Sequence, residues 1–320
     1  MVGLVQNISY AYERVFMPLR VAVVGGGYLG QHHARIYAEL NEAELAYVVD
    51  SDGARANEVA GRYGCRSRTD YRDILGDVDA VSVVVSTTNH FEVALDCIRA
   101  GKDVLVEKPI TATLSQADEL VREAETAGRI LQVGHLERYN PGVEVLSTMV
   151  DGPRLIEAVR LSPFLKRGCD VDVTLDLMIH DIDIALSFIQ TPVRRIDAVG
   201  FSFVTDKIDE AKAWIEFEND AVACLTASRV SREKMRRLKV FQKDGFMELD
   251  YQSGKVERTS SPAGSGPETF RPEYREPLKE EIRDFVRCAA GRERPKVSGV
   301  EGRNALEVAL EIGSAMERHR

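Results

Sequence analysis

The sequence predicts an α/β doubly wound parallel sheet followed by an α+β domain with a large, mostly antiparallel open sheet. Three observations carry that reading. A short apolar strand at 20–24 runs into Gly25-Gly26-Gly27-Tyr28-Leu29-Gly30 and then into a helical stretch at 31–37. Strand and helix patterns alternate from there to Gly134, as a parallel sheet requires. Beyond Leu155 the pattern changes to short alternating segments joined by tight turns, the mark of antiparallel neighbours. A length of 320 residues suits about two domains. The change of pattern divides the chain into an N-terminal extension at 1–16, a Rossmann dinucleotide-binding domain at 17–136, and a substrate-binding and oligomerisation domain with closing helices at 137–320.

The strand–GxGxxG–helix context gives each glycine a task. Gly25 permits the tight turn, Gly27 lets backbone approach a pyrophosphate, and Gly30 lets the helix pack on the strand. Tyr28 and Leu29 open that helix, whose unpaired N–H groups face the phosphates. The next strand, 45–49, ends at Asp50, about twenty residues beyond Gly30. A carboxylate there accepts from the ribose hydroxyls and repels a 2′-phosphate. Ser51 and Asp52 follow it rather than an arginine, which favours NAD over NADP.

Strands at 80–85, 103–106 and 130–134 alternate with helices at 89–100 and 114–127. Ser86, Thr87 and His90 fall at the same sheet end as Gly25, on the cofactor side; His90 fits either a cofactor contact or a polar residue in the first turn of its helix. The strand 103–106 runs into Glu107-Lys108-Pro109. Ligands in open α/β sheets bind outside the carboxyl ends of the strands, so Lys108 can set its ammonium against a substrate oxygen there. The Lys108–Pro109 bond is a candidate for cis, since X–Pro bonds tolerate it.

After the polar and aromatic run His135 to Pro141 comes a helical stretch to about Val150. Strands are expected at 155–161, 196–204, 212–217, 221–227, 238–242 and 246–249, a surface loop at 259–277, and helices at 278–290 and 301–318. One helix, 173–189, interrupts the strands. Asp176, His180 and Asp183 recur on it at i, i+4, i+7 and share a face, while apolar residues occupy the rest. Ionisable groups on so apolar a helix must pair or line a cavity. An Asp one turn from a His can orient the imidazole and stabilise its protonated form. No third soft ligand lies nearby, so no metal is expected.

Composition narrows the partners. The chain is 44% hydrophobic and 29% charged, with a formal net charge of −9. An acidic chain has no general affinity for nucleic acid or anionic membrane, and no apolar run approaches a membrane span. Five dispersed cysteines without a CxxC suit a reducing cytoplasm. Residues 1–16 make a poor secretory signal, and Met17 stands where translation is expected to begin, with the upstream segment a loose tail.

The glycine loop, Glu107-Lys108-Pro109 and the Asp176-xxx-His180 helix together resemble the Gfo/Idh/MocA family of NAD(P)-dependent sugar oxidoreductases, over residues 17–320. The resemblance implies that Lys108 hydrogen-bonds the reacting hydroxyl, His180 is the general acid/base and Asp176 supports it, with Glu107 and Lys108 beside the cofactor. It also implies a homodimer or homotetramer through the open sheet. Ser86 stands where many members have proline. The runs His135–Pro141, Pro163–Arg167, Leu175–Asp183 and Thr226–Arg229 are similar to members acting on UDP-N-acetylglucosamine, which make a 3-keto sugar that a partner aminotransferase converts to a 3-amino sugar for lipid A. Arg138, Tyr139, Asn140, Arg160, Arg167 and Asp183 are the expected substrate contacts, with Arg138, Arg160, Lys166 and Arg167 placed to neutralise a diphosphate. A free cyclitol or monosaccharide is the alternative substrate, and a non-catalytic nucleotide sensor the alternative class.

Overall fold

The computed structural model describes residues 18–164, 171–260 and 266–318. The expected extension and Met17 fall outside those residues. The first sheet has six parallel strands, β1 (Leu19–Val24), β2 (Ala43–Val49), β3 (Arg66–Arg68), β4 (Ala80–Val83), β5 (Asp103–Glu107) and β6 (Leu131–Gly134), in the spatial order 3-2-1-4-5-6. Strand order reverses beside β1, which opens a crevice at the carboxyl ends of β1 and β4. Helices α1 (Tyr28–Glu39), α2 (Gly53–Tyr63), α3 (Thr87–Arg99) and α4 (Leu114–Ala127) connect the strands. Their ends are written locally. Asp52 caps α2 by accepting from the Ala54 and Arg55 amides, and α2 and α4 both stop at glycines in the left-handed region, Gly64 and Gly128. Strand β3 was not expected. It is three polar residues at a sheet edge, too short to show alternation.

The second sheet has eight strands: β7 (Leu155–Leu161), β8 (Val193–Phe201), β9 (Glu210–Phe217), β10 (Val222–Ser228), β11 (Met235–Gln242), β12 (Gly245–Asp250), β13 (Lys255–Ser260) and β14 (Glu268–Phe270). They lie in the order 14-13-12-11-7-10-9-8, antiparallel except where β7 meets β10. The expected loop at 259–277 is corrected here. Its first residues finish β13, and β14 pairs with β13 at the sheet edge. Only Val256 of β13 faces the core, so the run Lys-Val-Glu-Arg-Thr-Ser shows little hydrophobic alternation.

One face of this sheet carries the row Ile156 and Ala158 on β7, Leu238 and Val240 on β11, and Ala213 and Ile215 on β9. It packs on α6 (Ile179–Ile189) and on the last helix, α8 (Gly299–Arg318). Helix α5 (Pro141–Ser147) packs against β12 and β13. The penultimate helix, α7 (Pro277–Gly291), returns to the first sheet, where Leu278, Ile282 and Phe285 join Val21, Val23 and Ile36. On α8, Leu306 packs with the first sheet and Ala309 and Ile312 with the second. The closing helices therefore fix the two sheets relative to each other. No helix among the described residues is long and apolar enough to cross a membrane.

Candidate active site

The glycine loop is a cradle that side chains would fill. Gly25 has φ +106°, and a Cβ there would stand 2.2 Å from the Val84 carbonyl oxygen. A Cβ on Gly30 would stand 1.7 Å from the Gly25 carbonyl oxygen, while one on Gly27 would meet nothing within 4 Å. The first two positions are closed by protein, and the third leaves backbone open to a ligand. Gly27 caps α1 without any side-chain hydrogen bond, so the positive end of the helix dipole faces the open side of the loop. The Asp50 carboxylate ends β2 and accepts from the Gly26 amide at 2.8 Å, the Asp52 amide at 2.9 Å and Arg55 Nε at 3.0 Å. A cavity of about 530 Å³ runs past Gly25, Gly27, Asp50, Arg55 and Ser86. This lining fits a dinucleotide: bare glycine backbone at a helix N-terminus for the pyrophosphate and a carboxylate for the ribose. Thr87 opens α3 beside it. His90 is buried behind the cavity, with Nδ1 2.8 Å from the Pro109 carbonyl oxygen and Nε2 3.1 Å from that of Val85. It ties the β4–α3 loop to the Lys108–Pro109 turn.

That turn contains a cis Lys108–Pro109 bond. Glu107 is buried before it, its Oε1 3.1 Å from His33 Nε2. Lys108 crosses to the second sheet's helical layer and donates to the backbone carbonyl of Asp176 at 2.7 Å, with its Nζ 3.7 Å from Asp176 Oδ1. Asp176 sits in a π turn, Thr174–Met178, in which the Ile179 amide donates to the Thr174 carbonyl five residues back. Single π turns inside helices often mark functional positions. Here the wider turn departs from α-helical phase between Asp176 and His180. The Asp176 carboxylate faces Lys108, and no hydrogen bond joins it to His180 among the described residues. The expectation that Asp176 braces the imidazole is corrected to one in which Asp176 holds Lys108.

His180 begins the next turn, on α6. Its Nδ1 is buried without a hydrogen-bond partner among the described residues, and its ring meets the His135 ring edge-on at 6.3 Å between centroids. Burial, reinforced by Lys108, Arg160, His135 and Arg236, holds the His180 imidazolium well below the usual range. Burial and the same lysine push His135 down to about 3. His180 is therefore a neutral imidazole at neutral pH. Burial also lowers the Lys108 ammonium, against the opposing pull of Asp176 and Glu107. A hydroxyl placed between these two groups would meet a donor cation on one side and a base on the other.

The expected substrate residues are less uniformly placed. Arg160 is 2% exposed and paired with two carboxylates: Nε and Nη2 grip Asp181 at 2.9 and 2.8 Å, and Nη1 donates to Glu137 at 2.8 Å. It has no face left for a diphosphate, because two carboxylates are buried against it. Arg138 donates to Asp183 Oδ1 at 3.3 Å; Asp183 is itself buried, which pushes its carboxyl up to about 7. Asp183 thus faces Arg138 rather than continuing a polar strip. The Tyr139 ring is buried and its hydroxyl donates to Asp284 of α7, while Asn140 caps α5 by accepting from the Gly142 amide. Both hold the fold at the junction. Lys166 and Arg167 lie outside the described residues.

Comparison with known proteins decides the family. The NAD-binding Rossmann-fold profile of the Gfo/Idh/MocA oxidoreductase family matches residues 19–135, and the family's C-terminal domain matches residues 153–248. A UDP-N-acetylglucosamine 3-dehydrogenase from Acidithiobacillus ferrooxidans is 38% identical over 307 residues, covering 93% of this chain and 97% of the relative. The chain belongs to the Gfo/Idh/MocA family. A solved structure of the A. ferrooxidans enzyme superposes with a TM-score of 0.90 at 37% identity, covering 94% of this chain and 99% of that one. The myo-inositol 2-dehydrogenase of Thermotoga maritima is more distant, 26% identical over 94% of this chain and 97% of its own. The gentamicin-pathway protein GenD2, solved with NAD, shares the fold with a TM-score of 0.84 at 22% identity over 99% of this chain and 98% of that one.

This Gfo/Idh/MocA protein is an NAD-dependent oxidoreductase acting on a CH–OH group. Sequence reasoning passed over His135 and Arg236, which act on its His180, and Tyr251, whose ring lies 5.4 Å from the Arg160 guanidinium. His135 reads as the polar residue that ends β6, yet it is fully buried beside the imidazole. Arg236 and Tyr251 stand at strand ends in charged runs that look solvated, and only the register of β7, β11 and β12 turns them inward. A period-two reading from Leu238 back to Arg236 and from Leu249 on to Tyr251 could have found them.

Proposed function

We propose that this chain oxidises the 3-hydroxyl of UDP-N-acetylglucosamine to a 3-keto sugar. NAD, when bound, supplies the hydride acceptor. His180 takes the hydroxyl proton as its neutral imidazole. Lys108 donates to the same oxygen and stabilises developing alkoxide, and Asp176 keeps the ammonium charged and aimed. The observation that carries the reading is the Lys108–Asp176 contact, which joins a cofactor-side turn to the helix bearing His180. Support for the sugar comes from the A. ferrooxidans relative, similar along nearly the whole chain. A 3-keto product suits an aminotransferase as the next step, on the way to a 3-amino sugar for lipid A in the cytoplasm.

A free cyclitol is the second reading, favoured by the inositol dehydrogenases at lower identity. NADH formation separates the two. Turnover of UDP-N-acetylglucosamine with none of myo-inositol supports the first, and the reverse sinks it. We also propose a homodimer or homotetramer through the outer face of the second sheet, where Val199, Phe201 and Trp214 are exposed. A light-scattering mass near the 35.6 kDa of one chain would count against this.

A further inference from the structure

A nucleotide-sugar substrate brings two phosphate groups, and Arg160, the cation the sequence offers for them, is sealed. The inward face of the second sheet carries another. Arg236 is the cross-strand partner of Arg160 in the β7–β11 register. It lies two residues before Leu238 and four before Val240, both fully buried, so it points to the same inward face at the end of that row. Its partner Arg160 grips Asp181, the residue after His180, so that end of the row lies beside the catalytic helix, and Arg236 is among the charges that act on the His180 imidazole.

Three features separate Arg236 from its neighbour. Its side chain is 35% exposed against 2% for Arg160. Its nearest carboxylate oxygen, Glu137 Oε1, is 3.8 Å from Nη1, beyond hydrogen-bond range, and that oxygen already accepts from Arg160 at 2.8 Å. No side-chain hydrogen bond of Arg236 occurs among the described residues, so the guanidinium fork is free to take two oxygens of one anion. Beside it, the Tyr251 amide donates to the Arg236 carbonyl at 3.1 Å, which continues the β11–β12 ladder by one residue. Tyr251 therefore follows Leu249 onto the inward face. Its ring lies 5.4 Å from the Arg160 guanidinium, and its hydroxyl is buried without a partner among the described residues. A buried phenol ordinarily finds one.

We propose that Arg236, with the Tyr251 hydroxyl, holds the phosphate oxygens of the substrate, one sugar ring away from the hydroxyl held by Lys108 and His180. The inference rests on the nucleotide-sugar reading and names the group that selects for it. Arg160 then acts as a positioning residue: its pairing with Glu137 and Asp181 occupies the carboxylates that would otherwise capture Arg236.

Calorimetric titration of UDP into the NAD-loaded protein tests the proposal, with NAD affinity as the measure of folding. Arg236→Gln should weaken UDP about 10- to 100-fold, the worth of a charge-assisted hydrogen-bond pair, and leave NAD affinity unchanged. Tyr251→Phe should weaken it several-fold, about the worth of one such bond. Arg236→Lys should fall between, since it keeps the charge and loses the fork. If Arg236→Gln fails to bind NAD, Arg236→Lys decides: a several-fold loss of UDP affinity supports the subsite and an unchanged Kd overturns it. UDP binding equally to parent and variants overturns the subsite and leaves the nucleotide-sugar reading standing. No binding of UDP to the parent at millimolar concentration overturns both.

Discussion

Arg160→Met separates a structural arginine from a substrate-binding one. The substitution keeps an unbranched apolar stem and removes three N–H···O contacts of 2.8 to 2.9 Å. It leaves Asp181, 2% exposed, and Glu137, 5% exposed, as buried carboxylates without their cation. Removing one partner from a buried ion pair costs about 3–5 kcal/mol, because the orphaned charge stays desolvated. That is a large fraction of the ~5–15 kcal/mol that holds a typical fold. With a urea slope of about 1–3 kcal/mol/M, the midpoint should fall by at least about 1 M with the slope unchanged. Replacing Asp181 and Glu137 by leucine and glutamine in the same background should restore much of the loss, since no unpaired charge would remain buried. The reasoning is refuted if Arg160→Met unfolds within about 1 kcal/mol of the parent while affinity for UDP-N-acetylglucosamine falls ten-fold or more.

Three further outcomes follow from the same geometry. Burial lowers the Lys108 ammonium and the Asp176 carboxylate pulls it back up, so Asp176→Asn should move the alkaline limb of the pH–rate profile to lower pH; an unmoved limb means that Asp176 does not act on Lys108. His135 titrates near 6.5 when unfolded and about 3 when folded, so between those values the unfolded chain binds a proton that the folded chain refuses, and stability is lost as pH falls. His135→Phe removes this, so from pH 7.5 to pH 5 the parent should lose about 2 kcal/mol relative to the variant in urea unfolding, and parallel pH dependences would contradict it. Asp50→Ala removes the acceptor for the ribose and releases Arg55 to meet a 2′-phosphate, so the ratio of Michaelis constants for NADP and NAD should narrow; an unchanged ratio would refute that role for Asp50.

The parallel sheet was legible because each of its signals is local. Gly25 and Gly30 are required by close backbone approach, Asp50 ends an apolar strand, and strand and helix alternate along the chain. The second sheet was legible strand by strand as far as β12, and its polar edge was not, because β13 and β14 bury too little to write a period into the sequence. Lys108 stood out at the carboxyl end of an apolar strand, and His180 on a largely apolar helix. Their partners did not. Helical phase placed Asp176 beside His180, and a single π turn sends it to Lys108 instead. Arg160 carries the same charge in the sequence as Arg236, and only the burial of Asp181 and Glu137 against it distinguishes a locked guanidinium from an open one.

The central claim is that a neutral His180 accepts the proton while Lys108 holds the oxygen. The most direct test is NADH formation from UDP-N-acetylglucosamine by the parent and by His180→Ala, read as turnover against pH with NAD affinity measured alongside. The parent should stay fully active down to well below pH 6.5, because burial and surrounding cations keep the imidazole unprotonated. His180→Ala should lose about 10²- to 10⁴-fold in turnover with NAD affinity unchanged. A folded His180→Ala that keeps most of its turnover would contradict the account.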